Sequence, residues 1–225
     1  MVISLESVPV VGGATRKRRN PEVTREEILA AARTVLASDG PDGLSLSRVA
    51  QLAGVNRGTA YQHFETREDL IKATVNRVSE HLSDTVFGKA GWSGNLSDLD
   101  SPPAYGFITG LVDFAVENPE LGRIWLFEIL SSDNPGDDRF FQQFSQAIAA
   151  MASSEYSEKG IDIEVLSVVM LAGYFLWPVW MRGRTGNKKE RRAMALRMRR
   201  EMLRLSLHGT LRAEAFPKLQ KLLED

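Results

Sequence analysis

Between Ser45 and Phe64 the chain carries two runs of helical periodicity, each too short to be stable alone, separated by a single glycine. Leu46, Val49 and Ala50 fall on one face of the first run. Ala60 and Phe64, four apart, fall on one face of the second, with Val55 holding the turn. Ser45 and Asn56 stand where a helix N-cap accepts a backbone N–H, and Gly54 permits a sharp turn with positive φ. Two such helices persist only by packing on each other and on further elements, so this stretch reads as a helix-turn-helix. Arg57, Thr59, Gln62 and His63 are then left facing largely outward.

The flanking sequence supplies the elements to pack against. Thr24 with Glu27 reads as a capping box opening a helix that carries Ile28, Ala31, Ala32, Val35 and Leu36, stopped by Asp39-Gly40-Pro41-Asp42-Gly43. Thr66 and Asp69 form another box, opening a longer helix through Leu70, Thr74, Val78, His81 and Leu82. Gly88 to Pro103 is rich in Gly, Ser, Asp and Pro and marks a boundary. Beyond it Asn118-Pro119 starts a helix, Asp133-Asn134-Pro135-Gly136 is a loop, and a helix runs from about Asp138 to Glu158. Ile161 to Met181 is apolar around most of its circumference, with a kink expected at Pro178. Gly183 to Asn187 turns the chain into a strongly basic helix from Lys188 to His208, with Ala193, Leu196, Leu203 and Leu207 near one face. No strand-like alternation competes with these helices. The expectation is an all-α chain in three parts: a basic arm (1–23, with Arg16 to Arg19 consecutive cations), a three-helix unit with a following long helix (24–87), and a helical second domain (88–225).

Composition narrows the chemistry. The 225 residues, 43% of them hydrophobic, can build a real core, and the absence of cysteine removes disulfides, thiolate zinc sites and a cysteine nucleophile. His63, His81 and His208 have no metal-ligand spacing, no phosphate-cradling loop is present, and neither a metal nor a cofactor is expected. Gly91-Trp92-Ser93-Gly94-Asn95 grazes a nucleophile elbow but lacks its last glycine and follows no strand, so the expectation is not an enzyme. The opening residues put their cations after the apolar part, the reverse of a secretory signal, which reads as a cytoplasmic, nucleoid-associated protein without a membrane anchor. Net charge is −1, yet Leu82 to Met181 holds 4 basic and 14 acidic residues and Arg182 to Arg204 holds 10 basic and 2 acidic. The acidic middle would repel DNA, so any DNA contact belongs outside it. The basic helix offers either a seat for an anionic ligand or a solvated face that balances the acidic middle.

The stretch from about Thr24 to Leu82 resembles the DNA-binding domain of the tetracycline-repressor-like (TetR) family of bacterial transcriptional regulators. Its "LSLSRVAQLAGV" helix and turn, its "NRGTAYQHF" recognition helix and the following "ETREDL" carry the likeness. A recognition helix reads base edges with its N-terminal part in the major groove. Arg57 can make a bidentate contact to guanine, Thr59 a hydroxyl or methyl contact, and Gly58 lets the backbone approach, which makes these three the base-reading candidates. The resemblance places Tyr61 and His63 at phosphate-touching positions with Gln62 between them, Arg67 at a basic position opening helix four, and Ser45, Ser47 and Arg48 flanking the groove. Ala60 departs from a larger aliphatic residue and Gln62 from an aromatic.

For the second domain the resemblance extends to architecture alone. It implies a homodimer formed through the last two long helices, with Leu166, Met170, Gly173, Leu196, Leu203 and Leu207 as interface candidates. Phe107, Phe114, Trp125, Phe127, Phe141, Phe144, Tyr174 and Trp177 are candidate walls for an apolar or aromatic small-molecule effector, with Glu128 and Gln143 as polar anchors. The reading is a repressor that binds a palindromic double-stranded operator and leaves it when the effector binds. A helical enzyme, or an activator, remains the alternative.

Overall fold

The structure, a computed structural model, describes residues 20–88, 102–181, 183, 186–209, 212–218 and 221, with the backbone alone for residues 102–108 and 213. The basic stretch 16–19, the Gly91 to Asn95 motif and the side chain of Phe107 lie outside the described residues. Among those described there are nine α-helices and no strand. In chain order they are α1 (Pro21–Asp39), α2 (Leu46–Leu52), α3 (Arg57–His63), α4 (Arg67–Val86), α5 (Pro102–Glu117), α6 (Pro119–Ser131), α7 (Arg139–Ala152), α8 (Ile163–Met181) and α9 (Lys188–Gly209).

Most helix starts are the ones the sequence signals. Two differ: α5 opens at Pro102, inside the stretch read as a boundary, and the first helix opens three residues before Thr24. Asn20 accepts a hydrogen bond from the Glu22 amide at 3.0 Å and Pro21 occupies the first position, where its missing N–H leaves nothing orphaned. Thr24 is instead buried in the first turn, its hydroxyl donating to the Asn20 carbonyl. At the other end α7 stops at Ala152 rather than near Glu158, because a run of serines turns the backbone: the Ser157 hydroxyl donates to the Met151 carbonyl at 2.7 Å.

The core is continuous, with two centres that meet along α4. Ile28 and Ala32 of α1, Val49 of α2, Ala60 of α3 and Leu70 of α4 close the first. The second is aromatic: Trp125 of α6, Phe140 and Phe144 of α7 and Phe175 of α8 stack at ring separations of 5.1–6.4 Å, mostly tilted or edge-on, as their quadrupoles favour. Asp138 orients this cluster by accepting from both the Trp125 indole and the Phe141 amide, so one carboxylate anchors the ring and caps α7. Helix α6 packs chiefly on α8, and Gly122 allows the approach: a Cβ there would stand 2.8 Å from the Phe175 ring. The seam between the two centres is bonded as well as packed, since the Phe140 amide donates to the buried Ser79 hydroxyl of α4.

Candidate nucleic-acid interface

The turn between α2 and α3 is built from short-range bonds. Ser45 accepts from the Arg48 amide, Gly54 sits at φ +65°, and the Val55 amide donates to the Ala50 carbonyl at 3.0 Å. Asn56 then accepts from both the Thr59 amide (2.7 Å) and the Thr59 hydroxyl (2.9 Å). At the far end Phe64 is buried under the guanidinium of Arg25, and Thr66 and Asp69 close a reciprocal capping box. The two short helices are therefore held at both ends, and α3 has a defined outer face.

That face carries Arg57, Gly58, Tyr61 and Gln62 exposed and His63 half-buried. Arg57 folds back along the helix, its guanidinium 5.4 Å from the Tyr61 ring centroid and Nη2 3.4 Å from the Tyr61 hydroxyl. A Cβ added at Gly58 would meet only the Asn56 carboxamide oxygen, at 3.4 Å, so the backbone beside it is open to approach. The Thr59 hydroxyl donates to Asn56, which leaves its oxygen as an acceptor and its methyl as the available contacts. Ser45 and Ser47 are exposed at the start of α2.

Two of the basic residues assigned to phosphate are engaged inside the protein. Arg48 donates to the Gly43 carbonyl and pairs with Asp39. Arg67 donates through Nε to the Leu44 carbonyl at 3.0 Å, through Nη2 to the Pro41 carbonyl at 2.6 Å, and through Nη1 to Glu68. Arg67→Ala should therefore cost about 1.5–3 kcal/mol of folding stability in a urea titration, with the salt dependence of DNA binding nearly unchanged. A salt slope flattened by about one unit would instead return Arg67 to the phosphate-contacting set. Arg25, whose guanidinium lies against the end of α3, is a residue that no local pattern singles out.

The candidate effector residues separate into several places. Trp125, Phe144 and Tyr174 join the buried aromatic cluster, together with Phe140 and Phe175, which the spacing did not single out. Phe114 is buried with its ring edge-on to His81. Phe127 points elsewhere, exposed and covered by Arg123, while Glu128 lines a cleft between α4 and the α6–α7 loop. Phe141 and Trp177 are half-buried, the latter under Arg197. Gln143 Oε1 and the Ser83 hydroxyl are buried with no hydrogen-bond partner among the described residues.

The interface candidates also divide. Leu166, Met170 and Gly173 are half-buried and Leu196 is exposed, but Leu203 and Leu207 are 5% and 2% exposed within the single chain. They belong to the protomer's own core, so a charge at either would unfold the chain rather than split a dimer. A stripe of exposed apolar residues lies on α8, where Val165, Val168, Val169, Leu176 and Trp180 recur at helical spacing, and on α9 Leu196 and Leu205 are exposed as well.

Known proteins share this arrangement. Residues 28–74 match the family model of bacterial regulatory proteins, tetR family. The chain is 31% identical over 146 residues to an uncharacterized HTH-type transcriptional regulator of Mycobacterium tuberculosis, covering 64% of this chain and 67% of that one. It is 25% identical over 108 residues to the HTH-type transcriptional repressor AcnR of Corynebacterium efficiens, covering 47% and 57% of the two chains. Its fold matches a gamma-butyrolactone receptor (ArpA-like protein) with a TM-score of 0.58 over 91% of this chain and 99% of that one, at 21% identity. A capped helix-turn-helix with an open recognition helix, in an all-α chain with these relatives, defines a DNA-binding transcriptional regulator. The chain belongs to the TetR family of such regulators.

Proposed function

We propose that the protein represses transcription as a homodimer on an inverted-repeat operator and releases it when a small molecule occupies the second domain. The observation that carries the DNA-reading part is the outer face of α3: a helix fixed by Asn56 at one end and Phe64 at the other, presenting Arg57, the open backbone at Gly58, and Tyr61 with Gln62. Fixed geometry matters because base edges are read by bidentate hydrogen bonds that tolerate little misplacement.

The dimer reading rests on α8. This helix is long and apolar enough to cross a membrane by length and composition, yet one of its faces already packs on α5, α6 and α7 through Ser167, Leu171, Tyr174 and Phe175. A lipid-spanning role would strand that packing, whereas a second copy of the chain covers the remaining stripe. Two-fold symmetry then places the recognition helices about 34–36 Å apart, one helical turn of DNA.

The effector site we assign to the region where α7 packs on α4 and α8. The aromatic rings of Phe140, Phe144 and Tyr174, closed on one another in this structure, favour an apolar body. The unpartnered Gln143 Oε1 and Ser83 hydroxyl favour at least one hydrogen-bonding group on the ligand. Burial pushes the Tyr174 phenol up, so it remains a neutral donor at physiological pH. The names of two similar proteins, a repressor and a gamma-butyrolactone receptor, agree with this reading. Release follows if the ligand favours a dimer geometry in which the helix spacing no longer matches the groove.

The test is selection of bound duplexes from a random pool at fixed, near-physiological salt. Enrichment of an inverted repeat with half-site centres about 10–10.5 bp apart, or a multiple of it, is the expected result. Folded protein that enriches no repeat would refute dimeric operator reading.

A further inference from the structure

The end of α1 and the loop that joins it to α2 are held by arginines from three helices. Arg48 of α2 takes the Gly43 carbonyl and Asp39, and Arg67 of α4 takes the carbonyls of Pro41 and Leu44. The third comes from the second domain: Arg123 of α6 donates through Nη1 to the Ala37 carbonyl at 2.7 Å.

Backbone chemistry explains why that carbonyl needs an outside donor. Ala37 lies in the last turn of α1, and its in-helix partner would be the amide of residue 41. That residue is proline, which has no N–H, and the helix has already ended at Asp39. The orphan carbonyl sits at the negative end of the α1 dipole, where a guanidinium is the best-suited partner. Arg123 is aimed there by its neighbours: its guanidinium lies 5.2 Å from the Phe127 ring centroid, one turn along α6, and α6 packs directly on α1.

We propose that Arg123 is a positioning residue for operator recognition. By fixing the end of α1 and the loop that follows, it sets the orientation of α3 relative to the second domain, and hence the distance between the two recognition helices of a dimer. The inference rests on dimeric operator reading; wild-type protein that selects no inverted repeat would fail that reading before any variant is compared.

The experiment uses the full chain on the selected operator and on a duplex carrying one half-site. Arg123→Met keeps the stem against Phe127 and loses the donor, while Arg123→Lys keeps a charged donor. On the full operator Arg123→Met should bind about tenfold more weakly, as loss of one charge-assisted bond implies, with base preference and salt slope unchanged because no DNA contact is removed. On the single half-site it should match the wild type, and Arg123→Lys should return to within about threefold on the full operator. Equal weakening on both duplexes would mean a merely structural role and would overturn the proposal, as would full-operator binding at wild-type strength. Should Arg123→Met fail to fold, Arg123→Leu, which also lacks a donor, carries the same comparison between duplexes with the same two outcomes.

Discussion

Val169→Glu should convert the protein to a monomer in sedimentation and weaken binding to a two-half-site operator by about 10²–10⁴-fold. Val169 is 61% exposed and Trp180 70% exposed on the same stripe of α8. A carboxylate at Val169 therefore costs the single chain little, whereas in a dimer it would be buried against an apolar partner surface without a counter-charge. Losing the partner removes the second half-site from each binding event, and with it the gain that linkage provides. Binding to a single half-site should be almost unaffected, since α3 is untouched. Leu203→Asp is the contrasting variant: its site is closed within the chain, so it should lower the melting temperature steeply and yield little folded protein of either size. An intact dimer for Val169→Glu, with operator binding preserved, would move the interface off this stripe.

What the sequence made legible was what is local. The caps at Ser45, Asn56 and Thr66 each bond within three residues, and Gly54 needs only its own positive φ, so spacing alone located the helix-turn-helix. The contacts that local patterns do not show depend on residues distant in sequence. The family resemblance puts Arg67 at a DNA-contacting position, but its donors meet carbonyls of the α1–α2 loop that only the fold brings within reach. Arg123 has no sequence signature, because the orphan it satisfies is created by a proline 82 positions away. Periodicity also finds an apolar stripe without saying what covers it. On α9 the leucines at 203 and 207 are covered by the chain itself, whereas α8 has two apolar faces and its own core consumes one. Trp125 and Phe127, two apart on α6, cannot share a face, which is why one joins the aromatic core and the other lies outside under Arg123.

Arg57→Ala should cost about 1–3 kcal/mol per half-site, and so about 2–6 kcal/mol for a dimer on its full operator, while relaxing preference at one base pair in each half. In the free protein the guanidinium rests on the Tyr61 ring with a long 3.4 Å contact to its hydroxyl. Such an exposed stack is weak, about 0.5–1 kcal/mol, and is readily exchanged for two charge-assisted bonds to a guanine edge. Tyr61 thus keeps Arg57 aligned along α3 at small cost to reading, and Tyr61→Phe, which keeps the ring, should leave base preference intact. Selection repeated with Arg57→Ala separates reading from holding, because removing a phosphate-binding group would weaken all sequences alike and flatten the salt slope by about one unit. An unaltered preference with a flattened slope would place Arg57 on the backbone of the DNA and leave base reading to the open peptide at Gly58 and to Thr59.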